Sequence, residues 1–286
     1  MSISSLTTFN PPRHFRPTYE ALLCRLLNSD SREVNARTGE GIRMLGPVSF
    51  VLDLSRRELP TCGVRKTFPR TAAAEVAWFM MGTQDVTWLK RYAPIWDKFV
   101  EDDGVTIEAA YGYRWREAFD RDQLRLGIAA LAKNPTDRRV YVANWDPRSD
   151  GLGAQGQRNV PCPLGFTLSI QDGRLNSTLT LRSSDVFVGL PYDVMGHALL
   201  MDAVAAELDV GLGTMMVNLA HPHLYEVHAV EAWEALGGEP SDDTIIMPSW
   251  SVSMIEEMPE AYVSQVATLA KPVKQPEYHT RPEVVE

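Results

Sequence analysis

Of the three cysteines in the chain, Cys24, Cys62 and Cys162, the last has the setting best suited to covalent chemistry. It stands between Pro161 and Pro163, just ahead of an apolar run. Proline on either side fixes φ and removes two backbone donors, which suits a side chain held at a rigid strand entrance. A cysteine by itself is more often a small buried hydrophobe, so the argument rests on its company. Arg37 lies in a loop with two glycines, Arg138 and Arg139 form a pair before an apolar run, and Arg182 is followed by Ser183. Guanidinium forks and hydroxyls in loops suit a phosphate dianion, and nearby cations lower the pKa of a thiol. Glu75 is the one carboxylate in the apolar stretch from Ala72 to Met81, where burial is costly unless the group is hydrogen-bonded or kept for chemistry. His221, His223 and His228 fall close together, but their spacing matches none of the usual zinc patterns, so no metal is expected. Trp96, Tyr111 and Trp115 read first as core aromatics, with stacking on a flat ligand as the alternative.

These residues need elements to hold them. The run Tyr19 to Leu27 places Leu22, Leu23, Leu26 and Leu27 on one helical face, with Thr18 as the expected cap. Ile42 to Leu54 reads as a long strand bent at Gly46 and Pro47. Thr71 can cap a buried helix over Ala72 to Met81, ended by Gly82. Arg139 to Trp145 alternates as a strand, and Leu164 to Ile170 pairs with Leu175 to Leu181 across a tight turn at Asp172 and Gly173. That second strand delivers Arg182 to Asp185. Val194 to Leu208 is the expected core helix, Met215 to Leu219 and Thr244 to Met247 read as strands, and a short helix lies near Tyr262 to Leu269. The order is neither strictly alternating nor all-β, which predicts an α+β fold with a mixed sheet packed by helices. No repeat period is visible.

With 286 residues, 44% of them hydrophobic, one large domain is the simplest count: residues 1–18 as an extension, 19–270 as the domain and 271–286 as a tail. A formal net charge of −9 opposes broad binding to nucleic acid or an anionic membrane, so any phosphate site must be a local arginine cluster. Three irregularly spaced cysteines fit no disulfide framework, and no apolar run has the length of a signal peptide or membrane span. A soluble cytoplasmic protein is expected.

In their order along the chain, several segments resemble the thymidylate synthase superfamily. The strongest are RSSDVFVGLPYDVMGHALL from Arg182 to Leu200 and HPHLYEVH from His221 to His228. NARTGEG, the helix with Glu75, PIWD ending at Asp97, AYGYRWR from Ala110 and DRR ending at Arg139 support them. The resemblance implies a homodimer that takes a pyrimidine nucleoside monophosphate and 5,10-methylenetetrahydrofolate. It implies Cys162 as nucleophile, with Glu75 and Tyr111 organising proton transfers through water. Arg37, Arg182 and Ser183 would bind the phosphate, joined by Arg138 and Arg139 from the other subunit. His223 and Tyr225 would contact the sugar, and Trp96, Asp185, Gly189 and Tyr192 would face the folate. Thiolate addition at C6 makes C5 enamine-like, so that it can take up a one-carbon unit. Hydride transfer to the resulting exocyclic methylene gives a methyl group, and water gives a hydroxymethyl group.

Where the family usually has asparagine in its base-reading motif, this chain has Asp193. An asparagine amide suits the O4 acceptor and N3–H donor of uracil, whereas a protonated Asp193 can donate to N3 of cytosine and accept from N4. The substitution resembles that of phage deoxycytidylate hydroxymethylases. Pro163 after the nucleophile, Leu181 before Arg182 and His221 near the sugar motif also depart from the family pattern. The acidic end of the chain, Glu283 to Glu286, lacks the small apolar terminus that closes the family's site, which favours water as the final reactant.

Overall fold

The computed structural model describes residues 11–35, 38–151, 159–241, 243–274 and 276. The chain opens with α1 (Arg16–Leu27), β1 (Arg32–Val34), β2 (Gly41–Met44), β3 (Val48–Asp53) and α2 (Pro69–Met81). Next come α3 (Tyr111–Arg116), α4 (Gln123–Lys133), β4 (Tyr141–Ala143), β5 (Pro163–Gln171), β6 (Arg174–Leu181) and β7 (Ser184–Asp185). The remainder is α5 (Leu190–Glu207), β8 (Gly211–Leu219), β9 (Pro222–Tyr225), α6 (Ala229–Gly237), α7 (Val252–Glu257) and α8 (Pro259–Ala270). Short 3-10 turns occur at Leu89–Arg91, Pro94–Phe99 and Glu226–His228. The expected α+β class is observed.

Two sheets organise the chain. The larger runs β3-β8-β6-β5-β4, antiparallel except for the parallel pair β6 and β8. The smaller runs β1-β2-β9-β7, with β9 and β7 parallel. The hairpin of β5 and β6 forms as expected, with Asp172 and Gly173 at φ 51° and 70°, the left-handed pair that matches strand twist. At its open end the register shifts between Pro163 and Gly165. A bulge there bends β5 just after Cys162.

Several boundaries differ from the sequence expectations. Helix α1 begins at Arg16, inside the presumed extension, because Pro17 fits the first turn and buried Phe15 stacks on Phe50; Thr18 is not its cap. The long strand is two strands in different sheets, parted at Leu45 to Pro47. Pro69 starts α2 and leaves Thr71 inside it, where the Thr71 hydroxyl donates to the Tyr92 carbonyl at 3.2 Å. Gly82 ends α2 in the left-handed conformation, as its position predicts. Pro191 likewise lets α5 start at Leu190 rather than Val194. The strand near Arg139 shortens to Tyr141–Ala143, and Thr244 to Met247 contributes only a bridge between Ile246 and Glu58. Helices α4, α6 and α7 went unassigned in the sequence reading; α4 and α7 are capped by Asp122 and Ser251.

The core lies between the large sheet and a helical layer in which α5 is central. Helix α5 packs on β6 and β8 and on α2 and α7, and α2 also packs on α3 and α8. Apolar residues cover both helices nearly all round, as full enclosure requires. The contact of α2 with α3 is backbone to backbone: a Cβ at Gly112 would lie 2.2 Å from the Phe79 carbonyl oxygen and 2.4 Å from its Cα. Gly112→Ala must therefore push the two helices apart. It is expected to lower unfolding free energy in urea by about 3 kcal/mol or more, at the top of the range for overpacking.

Candidate active site

Glu75 projects from the middle of α2 and accepts a hydrogen bond from the Trp96 indole at 2.8 Å. Trp96 belongs to the turn Pro94–Phe99, and its ring stands edge-on to Tyr111, 6.2 Å away between centroids. Tyr111 is the first residue of α3 and also packs against Phe79 of α2. Burial pushes the Tyr111 phenol well above the usual tyrosine range; Cys162, Asp193 and Glu75 push it further, and the Cys162 backbone N–H pulls it back. These four side chains, drawn from α2, α3, the start of β5 and the first turn of α5, thus meet in one place.

Asp193 and Glu75 are each only partly buried as whole residues. Protein nevertheless surrounds each carboxyl, and those surroundings set how it titrates. Burial raises Glu75 to about 7, partly offset by the Trp96 hydrogen bond. Burial raises Asp193 to about 8, helped by the negative charges of Glu75 and Asp185. Near neutral pH Asp193 therefore carries a proton and can donate a hydrogen bond, which an ionised aspartate cannot.

The backbone carrying Cys162 is held by Arg182. Its Nε donates to the Pro161 carbonyl and its Nη2 to the Val160 carbonyl, both at 2.8 Å, and its main-chain N–H donates to the Cys162 carbonyl at 2.9 Å. The guanidinium lies over Trp145, 5.9 Å from the ring centroid. Arg182 thus fixes the backbone around Cys162, a task that its place in the sequence does not announce. On β9, the His223 Nδ1 lies 3.1 Å from the His221 carbonyl. A carbonyl only accepts, so Nδ1 carries the hydrogen, and Nε2 is the acceptor whenever the ring is neutral. Tyr225 packs edge-on against His223.

Asp185, Gly189 and Tyr192 lie between β7 and the start of α5, beside Asp193. Asp185 Oδ1 accepts from the N–H groups of Phe187 and Val188 at 3.0 and 3.1 Å, which shapes this turn. Beneath it lies Arg65, which the sequence reading missed. Its buried guanidinium donates to the Val188 carbonyl at 2.8 Å and to the Tyr19 hydroxyl at 3.3 Å, and lies over Phe187 and Tyr192. Nothing periodic marks Arg65 in the sequence; an arginine between Val64 and Lys66 looks like an ordinary surface residue.

Arg138 and Arg139 are exposed, and Arg139 makes a bidentate pair with Asp137. Among the described residues, no hydrogen bond or ion pair ties either to the Cys162 site. Arg37 lies outside the described residues. Ser183 follows Arg182 and is partly buried.

The thymidylate synthase family model matches residues 17–261, which takes in every element from α1 into α8. The chain belongs to the thymidylate synthase family. Members carry out folate-dependent one-carbon transfer to C5 of a pyrimidine nucleotide, so this protein is a transferase of that type. The family co-substrate is methylenetetrahydrofolate. No helix among the described residues is long and apolar enough to cross a membrane.

The raised carboxyl of Asp193 has a stability consequence. Folded, it holds its proton up to about 8, whereas in the unfolded chain it ionises near 3.8. Between these values the unfolded state binds fewer protons, so this residue lowers stability progressively as pH rises and adds no further loss above about 8. Asp193→Asn should therefore raise Tm at pH 7, and the gain should shrink toward nothing as pH falls to the ordinary carboxyl range. A gain independent of pH would contradict burial as its cause.

Proposed function

We propose that the protein is a deoxycytidylate 5-hydroxymethyltransferase, converting dCMP, methylenetetrahydrofolate and water to 5-hydroxymethyl-dCMP and tetrahydrofolate. The observation that carries this reading is the protonated Asp193 carboxyl at the position where the family reads the base. Its hydroxyl matches the N3 acceptor of cytosine, and its carbonyl oxygen matches the N4 amino group. Uracil offers N3–H and O4, the reverse pattern, and a buried mismatch of this kind discriminates strongly.

The residues then act as follows. The Cys162 thiolate adds to C6, and the negative charge passed into the ring is met at the base edge by the Asp193 proton. After C5 has taken up the carbon and lost its own proton to water, water adds to the exocyclic methylene and the C6–S bond breaks, returning Cys162 as the thiolate. Methylenetetrahydrofolate, when bound, supplies the one-carbon unit that C5 takes up. Glu75, titrating near 7, holds and releases protons through water, with Tyr111 beside it and Trp96 fixing its carboxyl. His223 and Tyr225 take the sugar; Arg182, Ser183 and Arg37 take the phosphate, together with Arg138 and Arg139 of a second copy in a homodimer. Trp96, Asp185, Gly189 and Tyr192 face the folate. Glu283 to Glu286 lie outside the described residues.

Purified protein with methylenetetrahydrofolate and, separately, dCMP, dUMP and CMP should add CH2O to dCMP without forming dihydrofolate, read by mass spectrometry and dihydrofolate absorbance. Gain of CH2 with dihydrofolate would make it a deoxycytidylate methyltransferase, and a product from dUMP or CMP alone would remove the dCMP assignment. Cys162→Ser should abolish turnover; wild-type protein that binds nucleotide without turnover would be a silent homologue.

Asp193→Asn should shift the ratio of kcat/KM for dCMP over dUMP toward dUMP by about a hundredfold, the scale set by one mispaired buried group. In the native protein the neutral fraction of Asp193 falls about tenfold per pH unit above about 8, so KM for dCMP should climb there at that slope. A flat KM across that range would sink the proton-donor reading.

A further inference from the structure

Helix α3 carries a second buried group three residues beyond Tyr111. The side chain of Arg114 is 4% exposed and that of its partner Asp150 is 0% exposed. Arg114 Nη2 donates to Asp150 Oδ1 at 2.9 Å, and Nη1 lies 3.7 Å from Asp146 Oδ2. Asp150 Oδ2 in turn accepts from the Asp146 N–H at 2.7 Å, and the Asp150 N–H donates to the Asp146 carbonyl at 2.8 Å. One guanidinium thereby closes residues 146–150 into a fixed loop. Gln123 locks the strand before it, donating to the carbonyls of Arg114 and Ala143 and accepting from the Ala143 N–H.

The loop holds Trp145, the residue before Asp146. Gly151, at the far end of the loop, passes close enough to the Trp145 ring that a Cβ there would lie 3.3 Å from it, so the loop backbone flanks the indole on one side. The Arg182 guanidinium lies over the same ring, with its Nε and Nη2 on the two carbonyls that precede Cys162. The path therefore runs from Arg114 to Asp150, through the chain neighbours Asp146 and Gly151 to Trp145, and from Trp145 through Arg182 to the backbone of Cys162. Tyr111, on the same helix as Arg114, meets that backbone from the other end.

We propose that Arg114 is a positioning residue for Cys162, acting through the Asp146 and Asp150 loop and Trp145 to place Arg182. A neutral side chain of similar size at position 114 leaves the fully buried Asp150 without the Arg114 cation, while Asp146 keeps its pair with Arg148, and the loop must open to hydrate Asp150. Trp145 and Arg182 then lose their fixed places, and a small error at a reacting atom costs rate steeply.

The inference rests on the nucleophilic role of Cys162, and its test separates the two. In a Cys24→Ser background, alkylation by iodoacetamide reports on Cys162, because Cys62 is fully buried. Arg114→Gln and Asp150→Asn should each slow alkylation of Cys162 and lower kcat by about tenfold or more while circular dichroism shows the fold intact. Arg114→Lys should recover part of both losses. Arg116→Gln is the control: Arg116 is on the same helix but pairs with Asp122 and Glu256, so it should lose thermal stability without changing the alkylation rate. If Arg114→Gln does not fold, Asp146→Asn, which gives up the longer arm to Arg114 together with the exposed Arg148 pair, takes its place, with Arg148→Gln as the control for that pair. Variants that lose stability but match the parent in alkylation and kcat below their unfolding range would overturn the proposal. Absence of turnover in the parent protein would instead overturn the transferase reading and leave the alkylation comparison standing.

Discussion

Helices α2 and α5 pack directly on each other, with Gly196 facing Val76 at a spacing where even a Cβ would make an ordinary contact of 3.8 Å. Glu75 adjoins Val76, and Asp193 lies three residues before Gly196, so the packing that closes the core also brings two carboxyls within reach of each other's charge. Neither can be moved without moving a core helix. The burial that raises both groups is a property of this helix pair, and the base recognition proposed for Asp193 would be inherited from it.

Cys162, the proposed nucleophile, is held by a different means. Cys162 precedes a bulged strand whose Gly165, at φ +151°, passes so close to Tyr141 and the Val142 carbonyl that a Cβ would lie 2.5 Å from each. The strand entrance is thus fixed by backbone contact on one side and by the Arg182 guanidinium on the other. Spending two donors of an arginine on the carbonyls of Val160 and Pro161 makes structural sense where prolines have removed N–H groups from the same segment. What is left of the guanidinium stays charged, which is the property a thiolate or a phosphate needs nearby.

Keeping acids neutral in a buried site lowers stability, and the rest of the molecule offsets this with an enclosed apolar core and ion pairs that join distant elements. Arg125 pairs with Glu207 and Glu256, and Arg116 pairs with Asp122 and Glu256, so that α3, α4, α5 and α7 are tied at one corner. Glu207 is held well below the usual carboxylate range, to about 2, by hydrogen bonds from Ser253 and Arg125 that outweigh its partial burial. The contrast with Asp193 is instructive: two carboxylates of one helix, α5, titrate far apart because one end of that helix meets donors and the other meets apolar surface and like charge.

The sequence by itself determined the elements whose signals are local. The hairpin at Asp172 and Gly173 and the glycine stop after α2 follow from backbone sterics of one or two residues, and the ordered motifs from Arg182 to His228 were enough to point to the family. The unusual Asp193 could also be read directly, since it replaces an amide by an acid. What only the tertiary structure decided is the company each residue keeps. That Asp193 holds a proton depends on helices α2 and α5 excluding water from it, and no stretch of sequence around position 193 encodes that. The tasks of Arg65, Arg114 and Arg182 were equally hidden, because an arginine reads as a solvated surface charge until the fold shows which carbonyls, rings and carboxylates surround it. The broken strand at Leu45 to Pro47 and the displaced caps at Thr18 and Thr71 have the same origin: local propensity proposes a boundary, and burial of Phe15, of the prolines and of the sheet partners moves it.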